Sequence, residues 1–230
     1  MKLRKLSIRN FRSCRDISLT IADMHALVGA NNAGKSTVLR ALDFLFNSSI
    51  KSLNEESFWN KDTTLEIRVE AVFSELTEKE QEELNAYLKP DKTFHMARSA
   101  RVGTKGCEFG IDGEQTEDKI LISQHYKKPI PEPEWLQEGN INGNNIKDWW
   151  ANRDNLVVDG ICFSDCFGMN KAPSVGDWKE KVKEFIIANA KRIPMKEAWV
   201  DNPKGYSNVL KGILPFFVLV PAVRDVTEES

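Results

Sequence analysis

With 230 residues, 41% of them apolar and 29% charged, the chain can build one large domain or two small ones and has the composition of a globular protein. Its net charge of −2 excludes a global basic signature, so any nucleic-acid contact needs a local patch, and the sequence shows none clearly. The longest apolar run, Leu214 to Val223, is cut by prolines and too short to span a bilayer, and the basic start (Lys2, Arg4, Lys5, Arg9, Arg12, Arg15) lacks the apolar stretch of a signal peptide. Four cysteines form no disulfide framework, which points to a reducing cytoplasm. Cys162 and Cys166, spaced C-x3-C without a nearby His, read as thiols of a half-buried strand rather than zinc ligands.

In chain order, Leu6 and Ile8 alternate with polar residues, and Ile17, Leu19 and Ile21 repeat the alternation. This predicts two antiparallel strands joined by a turn at Asn10-Phe11-Arg12-Ser13. His25 to Val28 then reads as a buried parallel strand ending at Gly29. Gly29-Ala30-Asn31-Asn32-Ala33-Gly34-Lys35-Ser36-Thr37 follows as G-x-x-x-x-G-K-[ST], the phosphate-cradling loop of P-loop NTPases. The chemistry explains the residue types. Main-chain N–H groups must approach a polyphosphate closely, which glycine permits, while Lys35 supplies a point charge to the β- and γ-phosphates and Ser36 a hydroxyl ligand for Mg²⁺. Val38, Ala41, Leu42, Leu45 and Phe46 recur at helical spacing, so Gly34 to Phe46 is predicted as an amphipathic helix with the loop at its N-terminus, where dipole and free N–H groups favour anions.

Leu65 to Phe73 alternates through nine positions, the strongest strand signal, with one wet face. Thr77-Glu78-Lys79-Glu80 is a capping box opening a short helix over Glu78 to Leu88. Phe94 to Val102 and Cys107 to Ile111 flank a glycine-bearing turn and read as a hairpin, in which Arg98 and Arg101 have opposite parity; Lys119 to Ser123 adds another strand. From about residue 127 to 155, prolines and asparagines predict an irregular surface excursion, with Trp135, Trp149 and Trp150 requiring packing partners. Leu156 to Asp159 has the form of a hydrophobic strand ending in Asp, but Gly160 stands where an ABC-type enzyme carries a catalytic Glu, which argues against a Walker B motif. Ser174 caps a helix carrying Trp178, Val182, Phe185 and Ile186, and Phe216 to Val220 reads as a strand buried beside the Walker strand.

The Asn10-Phe11-Arg12-Ser13 turn, the second strand and the passage from Leu27 to Leu42 resemble the N-terminus of ABC-type ATPases of the SMC and RecF group. The Asn31-Asn32 pair, the F-S-E-L-T passage before the acidic helix and the closing V-P-A-V-R-D run resemble the OLD (overcoming lysogenization defect) family in particular. The resemblance implies an α/β P-loop fold of ABC/SMC type: a mixed sheet around the Walker strand and helix with an antiparallel β lobe, all 230 residues forming the N-terminal portion of one ATPase domain. It implies ATP and Mg²⁺ as cofactors, Lys35 as the catalytic residue, Gly29, Asn31, Asn32, Ala33, Gly34, Ser36 and Thr37 as nucleotide contacts, and Arg12 as a secondary contact. It further implies a homo-oligomer of the ATP-sandwich kind, DNA reached through the full-length protein, a partner defence protein, and a C-terminal Toprim nuclease serving bacterial anti-phage defence. No L-S-G-G signature, strand ending in Asp-Glu or switch histidine stands in these residues, so nucleotide binding with weak or absent hydrolysis is expected of the chain alone. Two other readings stay open: an SMC/RecF-like repair ATPase without nuclease, and a stand-alone P-loop kinase of small molecules.

Overall fold

A computed structural model describes the chain except residues 32, 48–52, 105–117, 169–170, 202–211, 216 and 220–230. The chain divides into two compact units, one of Met1–Lys128 with Trp199–Ser230 and one of Pro129–Ala198.

The first unit is built on a six-stranded sheet. Strands β1 (Lys2–Phe11) and β2 (Cys14–Thr20) form the predicted hairpin, with Leu6 opposite Leu19 and Ile8 opposite Ile17. They are joined in the order β2-β1-β3-β4-β5-β8 by β3 (Ile67–Ser74), β4 (Phe94–Thr104), β5 (Asp118–Pro131) and β8 (Met195–Asp201). The period-2 pattern of β3 buries Ile67, Val69, Ala71 and Phe73 on one face, and the register places Phe94 beside Phe73 and Met96 beside Ala71. Helix α1 (Lys35–Asn47) buries Val38, Ala41, Phe44 and Leu45 in the same core, with Phe44 stacked on Phe11 at 5.9 Å. Arg98 shares this apolar face. Its Nη1 donates to the carbonyls of Phe44 and Leu45, 3.4 and 3.5 Å away, so a cation stands at the C-terminal end of α1, where the dipole favours it. Thr77 caps α2 (Glu78–Glu83) through the predicted box, and a 3₁₀ turn at Asn85–Tyr87 continues it.

The mixed sheet around a Walker strand is corrected. Every pairing described from β1 through β5 is antiparallel, and His25 to Val28 forms no strand; Val28 is 93% exposed. A strand buried on both faces needs a hydrogen-bonded neighbour, and the segment expected to supply one does not do so. Phe217 to Leu219 lies outside any strand, with Val218 60% exposed; residues 216, 220 and the V-P-A-V-R-D run through Asp225 lie outside the described residues. The hairpin partner expected at Cys107 to Ile111 also lies outside them. Strand β4 pairs instead with β5, His95 opposite Lys127 through Thr104 opposite Asp118, so Lys119 to Ser123 is part of a longer strand. Pro129 and Pro131 follow the last β4 partner, past the point where their missing N–H groups would break that ladder.

Where an irregular excursion was expected, β5 runs to Pro131 and the second unit then forms around an aromatic core. Helix α3 (Gly143–Ala151) is capped by Asn142, whose side chain accepts from the N–H groups of Asn144 and Asn145. Strands β6 (Val157–Val158) and β7 (Ile161–Cys162) make a minimal hairpin across Asp159-Gly160, both at positive φ (49° and 79°), as a two-residue turn of the primed type demands. Leu156 to Asp159 is therefore hairpin, not a long buried strand. Helix α4 (Val175–Ala188) starts in a Ser174–Asp177 capping box and buries Trp178, Val182 and Phe185. Trp178, fully buried, lies 5.2 Å from Phe163 and 5.5 Å from both Trp149 and Phe167, and donates from Nε1 to the carbonyl of Trp135 at 3.0 Å. Trp135 and Trp150 are buried there too and Trp149 packs against them, which supplies the packing partners the three require. Among the described residues no helix is long and apolar enough to cross a membrane.

Candidate functional site

The glycine loop meets α1 as the sequence requires of a phosphate cradle. Gly34 sits at φ +89°, and a Cβ there would approach Ser13 Oγ to 3.3 Å, so conformation and space both call for glycine. At Gly29 a Cβ would meet Ala33 at an ordinary 3.4 Å. Helix α1 begins at Lys35; the Thr37 and Val38 N–H groups already donate to the Gly34 carbonyl at 2.9 and 3.2 Å, which leaves those of Lys35 and Ser36 facing an anion at the helix start. Lys35 Nζ donates to the carbonyls of Gly29 and Ala30, each at 2.7 Å, folding the ammonium back over its own loop. Asn31, Ala33 and Ser36 are exposed; Thr37 is buried; Asn32 lies outside the described residues.

The turn between β1 and β2 is bolted to this loop. Ser13 Oγ and Thr37 Oγ1 share a hydrogen bond at 2.8 Å, while Asn10 and Arg12 take positive φ (53° and 51°). Asn10 Nδ2 donates to the carbonyl of Glu66 at 2.9 Å, and the Arg12 N–H to that of Ser57 at 2.9 Å, which fixes both strained positions from outside. The Arg12 guanidinium lies beside the Phe11 ring at 6.0 Å. Burial, reinforced by the nearby charge of Arg40 and opposed by Glu56, holds its pKa below the usual arginine value. The Ser13–Thr37 contact and the neighbourhood of Arg12 and Arg40 are features that sequence reasoning missed. The only advance signal is that Arg40 falls one helical turn after Thr37.

Chemically, the loop, the start of α1 and Ser36 can hold a polyphosphate and a hard divalent cation, with Lys35 released from its carbonyls by a better anion. The groove of about 470 Å³ lined by Met1, Lys2, Leu3, Asp23, Leu42 and Phe46 lies by the opposite end of β1, and its lysine is paired with Asp23 and Glu75, so the cradle is the candidate site. Among the described residues no group of three or more His, Cys, Asp or Glu converges, and Cys162 Sγ contacts Ser164 Oγ at 3.1 Å.

The sequence model of the AAA ATPase domain family matches residues 1–227. An OLD nuclease of Thermus scotoductus (strain ATCC 700910 / SA-01) is 39% identical over 75 residues, 31% of this chain and 14% of the relative. The Old nuclease of Escherichia phage P2 is 37% identical over 78 residues, 34% of this chain and 13% of the relative. Endonuclease GajA of Bacillus cereus (strain VD045) is 23% identical over 159 residues, 68% of this chain and 23% of the relative. The matched stretches thus span less than a quarter of each of these relatives.

Proposed function

The chain belongs to the AAA ATPase domain family, its ATPase region resembling those of the OLD nucleases, and from that premise we propose that residues 29–37 hold the triphosphate of ATP. The observation that carries this is the join of Gly34, at positive φ, to the open N-terminus of α1 with Lys35 at its head. Gly29, Asn31, Asn32, Ala33 and Gly34 line the main-chain cradle, and Lys35 moves from the carbonyls of Gly29 and Ala30 to the β- and γ-phosphates. Thr37 braces the loop against Ser13, and Arg12 is a secondary nucleotide contact. Ser36 would hold a Mg²⁺ ion, which neutralises phosphate charge when bound. The fold is of ABC/SMC type, and the 230 residues are the N-terminal portion of one ATPase domain.

In the same reading the parent protein is a homo-oligomeric, cytoplasmic, ATP-governed DNA endonuclease of anti-phage defence, working with a partner defence protein. The matched relatives named as nucleases support it. Titration of the chain with a fluorescent ATP analogue tests the site: affinity should fall when EDTA replaces Mg²⁺, and Ser36→Ala should remove that metal dependence. Equal affinity with and without Mg²⁺ would refute the metal assignment. Nicking of plasmid DNA by the parent protein separates the nuclease reading from a nuclease-free repair ATPase.

A further inference from the structure

Six basic residues crowd the first fifteen positions, and the fold disposes of them unequally. At the open end of the hairpin, Lys2 and Arg4 each pair with both Asp23 and Glu75. Arg9 pairs with Asp16 at 3.7 Å, and across the closed end Lys61 pairs with Glu56 at 3.5 Å. Arg12, Arg15 and Arg40 have no carboxylate within salt-bridge distance among the described residues, although all three stand at or near that closed end. Arg12 lies in the turn, Arg15 follows at the start of β2, and Arg40 extends from α1 one turn beyond Thr37, which Ser13 holds in place. Arg12 Nε is shielded from water and has no hydrogen-bond acceptor among the described residues. Arg15 lays its guanidinium over the half-buried Trp59 ring at 5.1 Å, and its planar edge N–H groups remain able to take a phosphate in bidentate fashion.

Gathering like charges costs free energy unless an anion returns it; burial and the charge of Arg40 both disfavour the charge on Arg12, and Glu56, which offsets them in part, is itself paired with Lys61. We propose that Arg15 and Arg40, which stand with the nucleotide contact Arg12 at or near the closed end of the β1–β2 hairpin, form a docking surface for the phosphate backbone of a nucleic acid. Two guanidinium groups on a strand and a helix, outside the loop that accommodates the triphosphate, suit a repeating polyanion. The proposal rests on the reading of the parent protein as one that acts on DNA.

The test is fluorescence anisotropy of a short labelled duplex titrated with the 230-residue chain across a salt series, comparing Arg15→Gln/Arg40→Gln with wild type. The double variant should bind roughly tenfold or more weakly at low salt, and its log–log salt slope should be shallower by about two, one per lost phosphate contact. Lys79→Gln/Lys147→Gln, with the same change of charge at exposed positions elsewhere, should leave the slope as it is. A wild-type chain that does not bind the duplex, an equal loss in the Lys79/Lys147 control, or full binding by Arg15→Gln/Arg40→Gln would overturn the proposal. ATP-analogue affinity of the Arg15/Arg40 variant should be unchanged; loss there with duplex binding intact would make these arginines nucleotide contacts instead. Lys35→Ala affects only the nucleotide arm, so failure of the loop assignment is told apart from failure of this surface.

Discussion

Replacing Trp178 by Phe tests whether residues 129–198 hold together through one aromatic centre. The substitution removes the Nε1 donor that satisfies the Trp135 carbonyl at 3.0 Å, and a buried carbonyl left without a donor costs about 1–3 kcal/mol. It also deletes one ring of an indole packed against Trp149, Phe163 and Phe167 at 5.2 to 5.5 Å, which adds about 1–2 kcal/mol for the void. The combined loss, about 2–5 kcal/mol, is a large share of what a unit of this size has, since stability runs near 0.05–0.15 kcal/mol per residue. Urea unfolding followed by near-UV circular dichroism should show the midpoint of the aromatic signal falling by about 1–2 M. Trp149→Phe makes the comparison sharp. Trp149 stacks on the same ring but is only partly buried, so its loss should cost about 1 kcal/mol or less. Equal costs for the two substitutions, or less than about 1 kcal/mol for Trp178→Phe, would refute the reasoning.

Ser13→Ala deletes the bond to Thr37 and should lower stability by about 1 kcal/mol in thermal unfolding while weakening ATP-analogue binding through a looser loop. Thr77→Ala removes the cap that accepts from the Glu80 N–H and should cost about 1 kcal/mol in the same assay, with nucleotide affinity unchanged. Asp91 accepts hydrogen bonds from the Thr93 hydroxyl and N–H, which hold its pKa below the ordinary aspartate value of about 3.9. A carboxylate with a depressed folded pKa stabilises the fold above its unfolded pKa and loses that contribution as pH falls through the folded value. Acid unfolding below about pH 4 should therefore be less steep in Asp91→Asn than in wild type; identical profiles would contradict the assignment.

What the sequence made legible was local. The β1–β2 hairpin, the alternation of β3, the Thr77 and Ser174 boxes and the helix after Lys35 each depend on neighbours within a few positions, where periodicity and capping chemistry act. The pairing of β4 with β5 was illegible because the partners lie on either side of residues 105–117 and the prolines of β5 masked its length. The aromatic core was illegible for a related reason: Trp178 stands on the predicted helix, but its partner Trp135 is 43 residues away in a short 3₁₀ turn that carries no helical period. His25 to Val28 misled in the opposite direction. Three apolar residues in a row, Ala26 to Val28, suggest a buried strand, but burial depends on a neighbour that the segment's own composition cannot supply. At the candidate site, Gly34 and Lys35 were readable from spacing alone, whereas the Ser13–Thr37 bond and the proximity of Arg12 to Arg40 arise only when the hairpin folds onto α1.

The central claim is that the Gly29–Thr37 loop binds a nucleoside triphosphate through main-chain donors and Lys35. Isothermal titration of wild type and Lys35→Ala with a non-hydrolysable ATP analogue and Mg²⁺ tests it most directly. Among the described residues Lys35 Nζ bonds only carbonyls of its own loop, so its removal should leave the fold and its melting temperature nearly unchanged while abolishing detectable binding. Undiminished affinity in a folded Lys35→Ala variant would contradict the account.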